Sequence, residues 1–402
     1  MRIKGRKIQI ALLLLVVGSL LVGCPEPTHE PSEPDLRVQA VCSDGVVDFE
    51  LYVDRRITSV GPSSNALALA DSALWVVESG ANSISRFDLE RLQMEPGFIH
   101  VGGDRNPYDI DVDESSRQIW VSNFAASTIT VADMDDGQIL AEIDDEELNN
   151  PSALVLTEDY AYVSDVNYLS VAEGFGPGSI VVVDRSTYEI VARWETAFEN
   201  PQFAAVEEID GQAVLLVSSS GALEIGEGGA RVKSEGGLEW YDLGVDPLQP
   251  PAQAYPLGQA EVQTVGAVGR ALLRPDEERL YFVSAIAPVL FVFDIPGRQW
   301  LFDAEAPLQL YEAEGDATHY GAMGADGLLW VSAFNDDALY LFDTSCDQLM
   351  AGPIDVGEAA HMLEGPQAIR LVARPRGVDG YFLMSIANKM GRLRLEYTGE
   401  SS

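Results

Sequence analysis

IWVSNFAASTITVAD, running from Ile119 to Asp133, is the stretch from which the fold is read. A tryptophan sits in a short β-rich run, a Ser/Asn/Ala turn follows, and an alternating strand closes on aspartate. LWVVESGANSISRFD, ending at Asp88, and LWVSAFNDDALYLFD, ending at Asp343, lie directly over it. Trp75 to Asp88, Trp120 to Asp133 and Trp330 to Asp343 each cover 13 residues. RLYFVSAIAPVLFVFD, ending at Asp294, fits with one residue fewer between its aromatic and its aspartate. A unit recurring at a fixed period signals a repeat architecture, which has to be recognised before any single element is assigned.

Two more copies carry insertions in the turn: Tyr162 runs to Asp184 and Leu216 to Asp242. A weaker seventh copy is GYFLMSIANKMGRLRLEY, with Phe382 as its aromatic and Glu396 at the aspartate position. The acidic markers 88, 133, 184, 242, 294, 343 and 396 stand roughly 45 to 58 residues apart, which suits a four-stranded propeller blade. Turn signals precede several units: Asn106-Pro107, Asn150-Pro151, Asn200-Pro201 and Gly365-Pro366. Proline cannot donate to a central ladder and so punctuates connections. Nothing in this region has the period of a long amphipathic helix. The expected fold is all-β: a seven-bladed β-propeller of four-stranded antiparallel blades over residues 49–398.

The units resemble the YVTN-type repeats of bacterial β-propellers. IWVSNFAASTITVADMDDGQILAEI is the nearest copy, and VGGDRNPYDIDV is similar to that family's Val-Gly-x-x-Pro opening. The resemblance implies the fold and little about activity, since propellers host binding, scaffolding and unrelated chemistries. The last unit ends after its third strand, at Tyr397, and would leave an open edge. The unassigned strand FELYVDRRI, Phe49 to Ile57, is expected to supply the outer strand of blade 7 and close the ring. Cys42 and Cys346 then fall in neighbouring loops, either as a disulfide linking distant parts of the chain or as two free thiols.

Residues 1–23 read as an export signal. Arg2, Lys4, Arg6 and Lys7 precede an apolar run from Ile8 to Val22, shorter than the about 20 residues a membrane span needs. Leu21-Val22-Gly23-Cys24 resembles the lipobox of bacterial lipoproteins. That resemblance implies cleavage before Cys24 and acylation of it, with several chains giving firm anchorage. Membrane attachment at the cell envelope follows, at the outer membrane if the source is Gram-negative, because Pro25 replaces the aspartate of inner-membrane retention. Residues 24–48 read as the acylated cysteine and a Pro/Glu-rich tether.

The whole chain carries a formal charge of −39, and cleavage leaves 21 basic against 64 acidic residues, or −43. Such a field repels phosphate backbones and anionic lipid headgroups, and it argues against nucleic acid as partner. It reads as a solvating surface, or as one that takes cations or a basic protein.

The catalytic inventory is thin. There are four histidines, His29, His100, His319 and His361, and no HExxH, CxxC, GxSxG or phosphate-binding loop. The glycines of GFGPGS (174–179) and GEGGARVKSEGG (226–237) read as flexible loops on one face, able to wall a cleft. Asp109 and Asp111 stand on an innermost strand where other units have apolar residues, which is costly unless they are paired or bind an ion. Glu78, Asn123 and Asp165 end the aromatic strands of the first three units. These five form a candidate metal set of hard oxygen ligands, suited to Ca²⁺ or Mg²⁺; a water-filled polar channel is the other reading. His319, His361 and Arg370 are candidate residues of the channel mouth, with Arg370 a candidate partner of Asp111.

Three functions compete. The first is a binding or scaffold module for an envelope protein, a glycan or a small ligand. The second is a divalent-metal-dependent hydrolase or lyase. A quinone-cofactor dehydrogenase is disfavoured by the few channel cations and the lack of adjacent cysteines. The binding module leads, because no acid–base pair can be named.

Overall fold

Strands that are apolar at nearly every position, such as Leu74-Trp75-Val76-Val77, need cover on both faces. In the computed structural model this cover comes from neighbouring blades. The structure describes residues 34–42, 45–146, 148–170, 174–226, 229–258, 266–312, 319–358 and 362–398. Residues 1–23, Cys24 and His361 lie outside the described residues.

The described residues form seven antiparallel blades in a ring, a β-propeller. Blade 2 is typical, with strands Pro107–Asp113, Gln118–Asn123, Thr128–Asp133 and Ile139–Asp144 from channel to rim. Blade 1 begins with Ser64–Ala70 at the channel. The innermost strands of blades 3 to 6 are Pro151–Leu156, Pro201–Ile209, Val268–Leu273 and His319–Met323. Each innermost strand packs beside the next, and Pro366–Arg374 of blade 7 packs beside Ser64–Ala70, which completes the circle.

Seven large buried clusters lie between blades, one per interface, among the described residues. Consecutive side chains point into different ones. Trp120 shares a cluster with Val163 and Val181 of blade 3, while Val121 shares one with Trp75 and Val77 of blade 1. The recurring aromatic always faces the next blade in the chain. By that rule and by strand register, the aromatic of blade 5 is Tyr281, paired with Val292, and that of blade 7 is Tyr381, paired with Arg392. The expected choices, the residue after Tyr281 and Phe382, are each offset by one, because two adjacent aromatics left the alternation ambiguous. Tyr281 to Asp294 is again 13 residues, so no residue is missing.

The aspartate markers make turns. Asp133 Oδ1 accepts the amide N–H groups of Asp135 and Asp136, and Asp184 Oδ1 those of Ser186 and Thr187. A short carboxylate bonding its own backbone two and three residues on is the physics of an Asx turn. In blade 7 the register position of the marker is Arg394, facing Asp379, two residues before Glu396.

The ring closes as expected and goes further. Gly45–Ser59 pairs along Lys389–Tyr397 as the fourth strand of blade 7. A fifth strand, Leu36–Cys42, pairs outside it. It falls within the stretch read as tether. LRVQAV alternates, and Val38 packs on the cluster between blades 6 and 7, so this stretch has an apolar face to bury. The domain therefore begins at least thirteen residues before Phe49.

Candidate functional site: the central channel

The inner edge of each blade faces the lumen with backbone groups that have no ladder partner, and these must be satisfied by side chains or solvent. Asp109 and Asp111 do this for blade 3. Asp109 Oδ2 accepts the Leu154 N–H at 3.2 Å and Asp111 Oδ2 accepts the Leu156 N–H at 2.9 Å. Burial raises the Asp111 carboxyl above its ordinary value, while the N–H groups of Leu156 and Val112 pull it back. On the previous blade, Asn65 Nδ2 donates to the Tyr108 carbonyl at 2.9 Å.

A cation completes this arrangement. Arg270, on the innermost strand of blade 5, reaches across the lumen and places Nη2 3.4 Å from Asp109 Oδ2. Both side chains are about five-sixths buried, with 17% and 15% exposed. Arg370 lines the larger space below together with Asp111; among the described residues it makes no ion pair with it. Arg270 was legible in principle. Register comparison puts it level with Asp109, but blade 5 has no Asn-Pro to set that register.

The Arg270–Asp109 pair divides the lumen. On the side of the inter-blade connections is a chamber of about 190 Å³, lined by Asn65, Tyr108, Gln202, Phe203, Tyr320 and Gln367. On the other side is a space of about 520 Å³, bordered by Asp111, Glu207, Arg274 and Arg370 among apolar inner-strand residues. Burial raises the Glu207 carboxyl, with Arg270 pulling it down, and pushes the Tyr108 phenol up to about 12. The upper chamber offers ring faces and amides, groups that both donate and accept.

The remaining members of the expected metal set lie elsewhere. Glu78 accepts the Gly61 N–H at 2.7 Å and the Ser83 hydroxyl at 2.9 Å. Asn123 Nδ2 donates to the hydroxyls of Thr128 and Thr130. Asp165 accepts the Asn149 N–H and pairs with Arg193 at 3.1 Å; burial raises it to about 6 against those contacts. Glu78 and Asp165 thus hold the connections entering their own blades. Glu239 does the same for Ala197, whereas Asp337 of blade 6 holds Glu364 and Gly365 in the connection leading on to blade 7. This shared structural duty explains why polar residues recur at these places. Among the described residues, no three His, Cys, Asp or Glu side chains converge as a metal-holding group.

His319 opens the innermost strand of blade 6, paired with Ala333; its side chain, like that of Cys42, lies outside the described residues. Cys346 is disulfide-bonded. The two turn insertions are paired rather than open loops. Tyr168–Ser170 pairs with Gly174–Phe175, and Leu223–Gly226 with Gly229–Val232. Ring contact at 5.3 Å between Tyr168 and Phe175 holds the first. The second buries Val232 against Ala267 and Ile286, leaning on blade 5 beside the chamber.

No family model and no curated protein matches the sequence. Solved structures do. A streptogramin B lyase matches with a TM-score of 0.60 at 13% identity, over 87% of this chain and 98% of that one. Virginiamycin B lyase from Staphylococcus aureus matches at 0.60 and 12%, over 86% and 99%. Kuenenia stuttgartiensis hydrazine synthase matches at 0.63 and 14%, over 84% and 97%. At such identities the likeness is one of fold.

Proposed function

We propose that this chain is an envelope lipoprotein, anchored through acylated Cys24, whose propeller is a binding module taking a glycan end or a similar small polar ligand in the upper chamber. The observation that carries this reading is the lining: four aromatic rings, Phe334 among them, and three side-chain amides above the Arg270–Asp109 pair. Ring faces stack on the apolar faces of sugars, and amides meet hydroxyls as donor and acceptor together. A concave site with a few convergent polar groups is the usual form of a small-ligand site. The carboxyls raised by burial to about 6 and about 7, Asp165 and Glu239, do not line the lumen, and the raised lumen carboxyls, Asp111 and Glu207, border the larger space rather than the upper chamber.

The lyase-like fold keeps a second reading in play: a divalent-metal hydrolase or lyase with Ca²⁺ or Mg²⁺ at Asp109 and Asp111. The ion would have to displace Arg270 and two backbone N–H groups from these carboxylates. One thermal-shift series decides between the readings. The chelated protein is melted with neutral mono- and disaccharides and, separately, with Ca²⁺ and Mg²⁺. A saturable rise with a saccharide, abolished by Tyr320→Ala or Gln202→Ala, is expected. A saturable rise with a metal alone, abolished by Asp109→Asn, would replace the binding module with the metal enzyme.

We also propose that Cys42 is the disulfide partner of Cys346, which would tie the outermost strand of blade 7 to blade 6.

A further inference from the structure

Six charged side chains border the larger space of the lumen, three of each sign: Asp111, Glu207 and Glu277 against Arg270, Arg274 and Arg370. Four of them are engaged. Arg270 pairs with Asp109 at 3.4 Å, and Arg274 pairs with Asp276 and Glu278. Asp111 accepts the N–H groups of Val112 and Leu156, and Glu277 accepts that of Asp210 at 3.2 Å. Glu207 and Arg370 remain. Both are half-buried, and among the described residues neither side chain makes a hydrogen bond or an ion pair.

These two cannot lean on a common blade interface. Glu207 stands on the innermost strand of blade 4 and Arg370 on that of blade 7, so the lumen lies between them. Arg270 adds a donor short of a partner: its Nε–H is buried with no acceptor among the described residues. Charges and N–H groups withdrawn from water are costly until something pairs them. The walls between them are apolar, with Leu156, Val206, Leu272, Met323 and Leu371 each half-buried there.

The balance of charge selects the kind of occupant. A lone anion meets Asp111 and Glu207 as well as the arginines, and a lone cation meets three arginines. A molecule carrying both charges answers each. At about 520 Å³ the space has the size of a small-molecule site.

We propose that this larger space is a second ligand site, separate from the upper chamber, and that it takes a free α-amino acid with an apolar side chain. The ligand carboxylate meets Arg370 and the Nε–H of Arg270, since guanidinium and carboxylate match in paired hydrogen bonds. Its ammonium, with three donors, meets Glu207 and the spare lone pairs of Asp111. Its side chain lies against the apolar walls.

The test is isothermal titration calorimetry on the full chain in detergent with L-valine, L-leucine and L-phenylalanine. A saturable heat with at least one of them is expected. For the one that binds, two analogues follow: one without the ammonium (isocaproate for leucine) and one without the carboxylate (isoamylamine for leucine). Each should bind at least about tenfold more weakly, because each loses a charge-assisted contact. Arg370→Gln and Glu207→Gln should weaken the amino acid by a similar factor, Arg370→Lys by less, and Gln202→Ala of the upper chamber not at all. Absence of saturable heat with all three amino acids overturns the site. An affinity unmoved by Arg370→Gln and Glu207→Gln overturns its placement, and an ammonium-free analogue as tight as its parent overturns the zwitterion. That last point is read on the parent protein alone, so it stands even where a variant fails to fold. Saccharide binding in the upper chamber is read with other probes and other variants, so either site can fail without the other.

Discussion

Blades 2 and 7 are built to one plan from different material. Blade 2 is a single stretch of 38 residues whose strands meet through short turns. Blade 7 joins the last 33 described residues to strands from the start of the domain, pairing Phe49 with Tyr397 and Leu51 with Leu395. Both bury the same kinds of interface, Trp120 on one side and Tyr381 on the other. The comparison teaches that a blade is defined by what it packs against, and that contiguity along the chain matters only for closure.

The harshest way to break the comparison is to remove residues 36–59 while keeping the rest. Blade 7 then presents the bare edge Lys389–Tyr397, and loss of the cooperative unfolding transition is expected by calorimetry. A deletion variant with one sharp transition near the parent's would show that closure does not hold the ring. A milder way compares the interfaces directly. Trp120→Ala and Tyr381→Ala each empty a fully buried aromatic site, and each should cost about 3–5 kcal/mol in chemical denaturation. If blade 7 is equivalent to the others, both variants lower one shared transition; a separate early transition in Tyr381→Ala alone would break the equivalence.

The smallest effect sharpens the view of the connections. Glu239, buried in blade 4, holds the Ala197 N–H and the Tyr241 hydroxyl, and burial raises it to about 7 against those bonds. Its native form keeps a proton that the unfolded chain releases nearer 4.5, so stability falls as pH rises between those values and levels off above. Glu239→Gln, which keeps an acceptor without the charge, should remove a fall of about 2 kcal/mol between pH 4.5 and pH 7. An unchanged slope in the variant would assign the pH dependence elsewhere.

Much of the architecture was legible because its signals are local. The Trp-to-Asp spacing is one hairpin, and its aspartate is a turn former reading its own backbone, so both appear in any single copy. The closing strand was legible by elimination, since a ring cannot keep an edge. The strand Leu36–Cys42 was not, because the Pro/Glu composition just before it dominated the reading. Glu78, Asn123 and Asp165 were read as one recurring position, and in the structure each holds neighbouring backbone or hydroxyl groups. Arg270 was missed because blade 5 lacks an Asn-Pro to set its register, and its partner lies 161 residues away, across the lumen.

The join between Gly45–Ser59 and Lys389–Tyr397 also sets an order of events. The first two strands made can pair only with each other until the last ones exist, some 340 residues later. A chain emerging N-terminus first cannot finish folding early, and one that stops short of blade 7 keeps an exposed strand edge at its very beginning. Synthesis thus carries its own test of completeness: the last blade of the ring is read by the first strands, and only a full ring can seal.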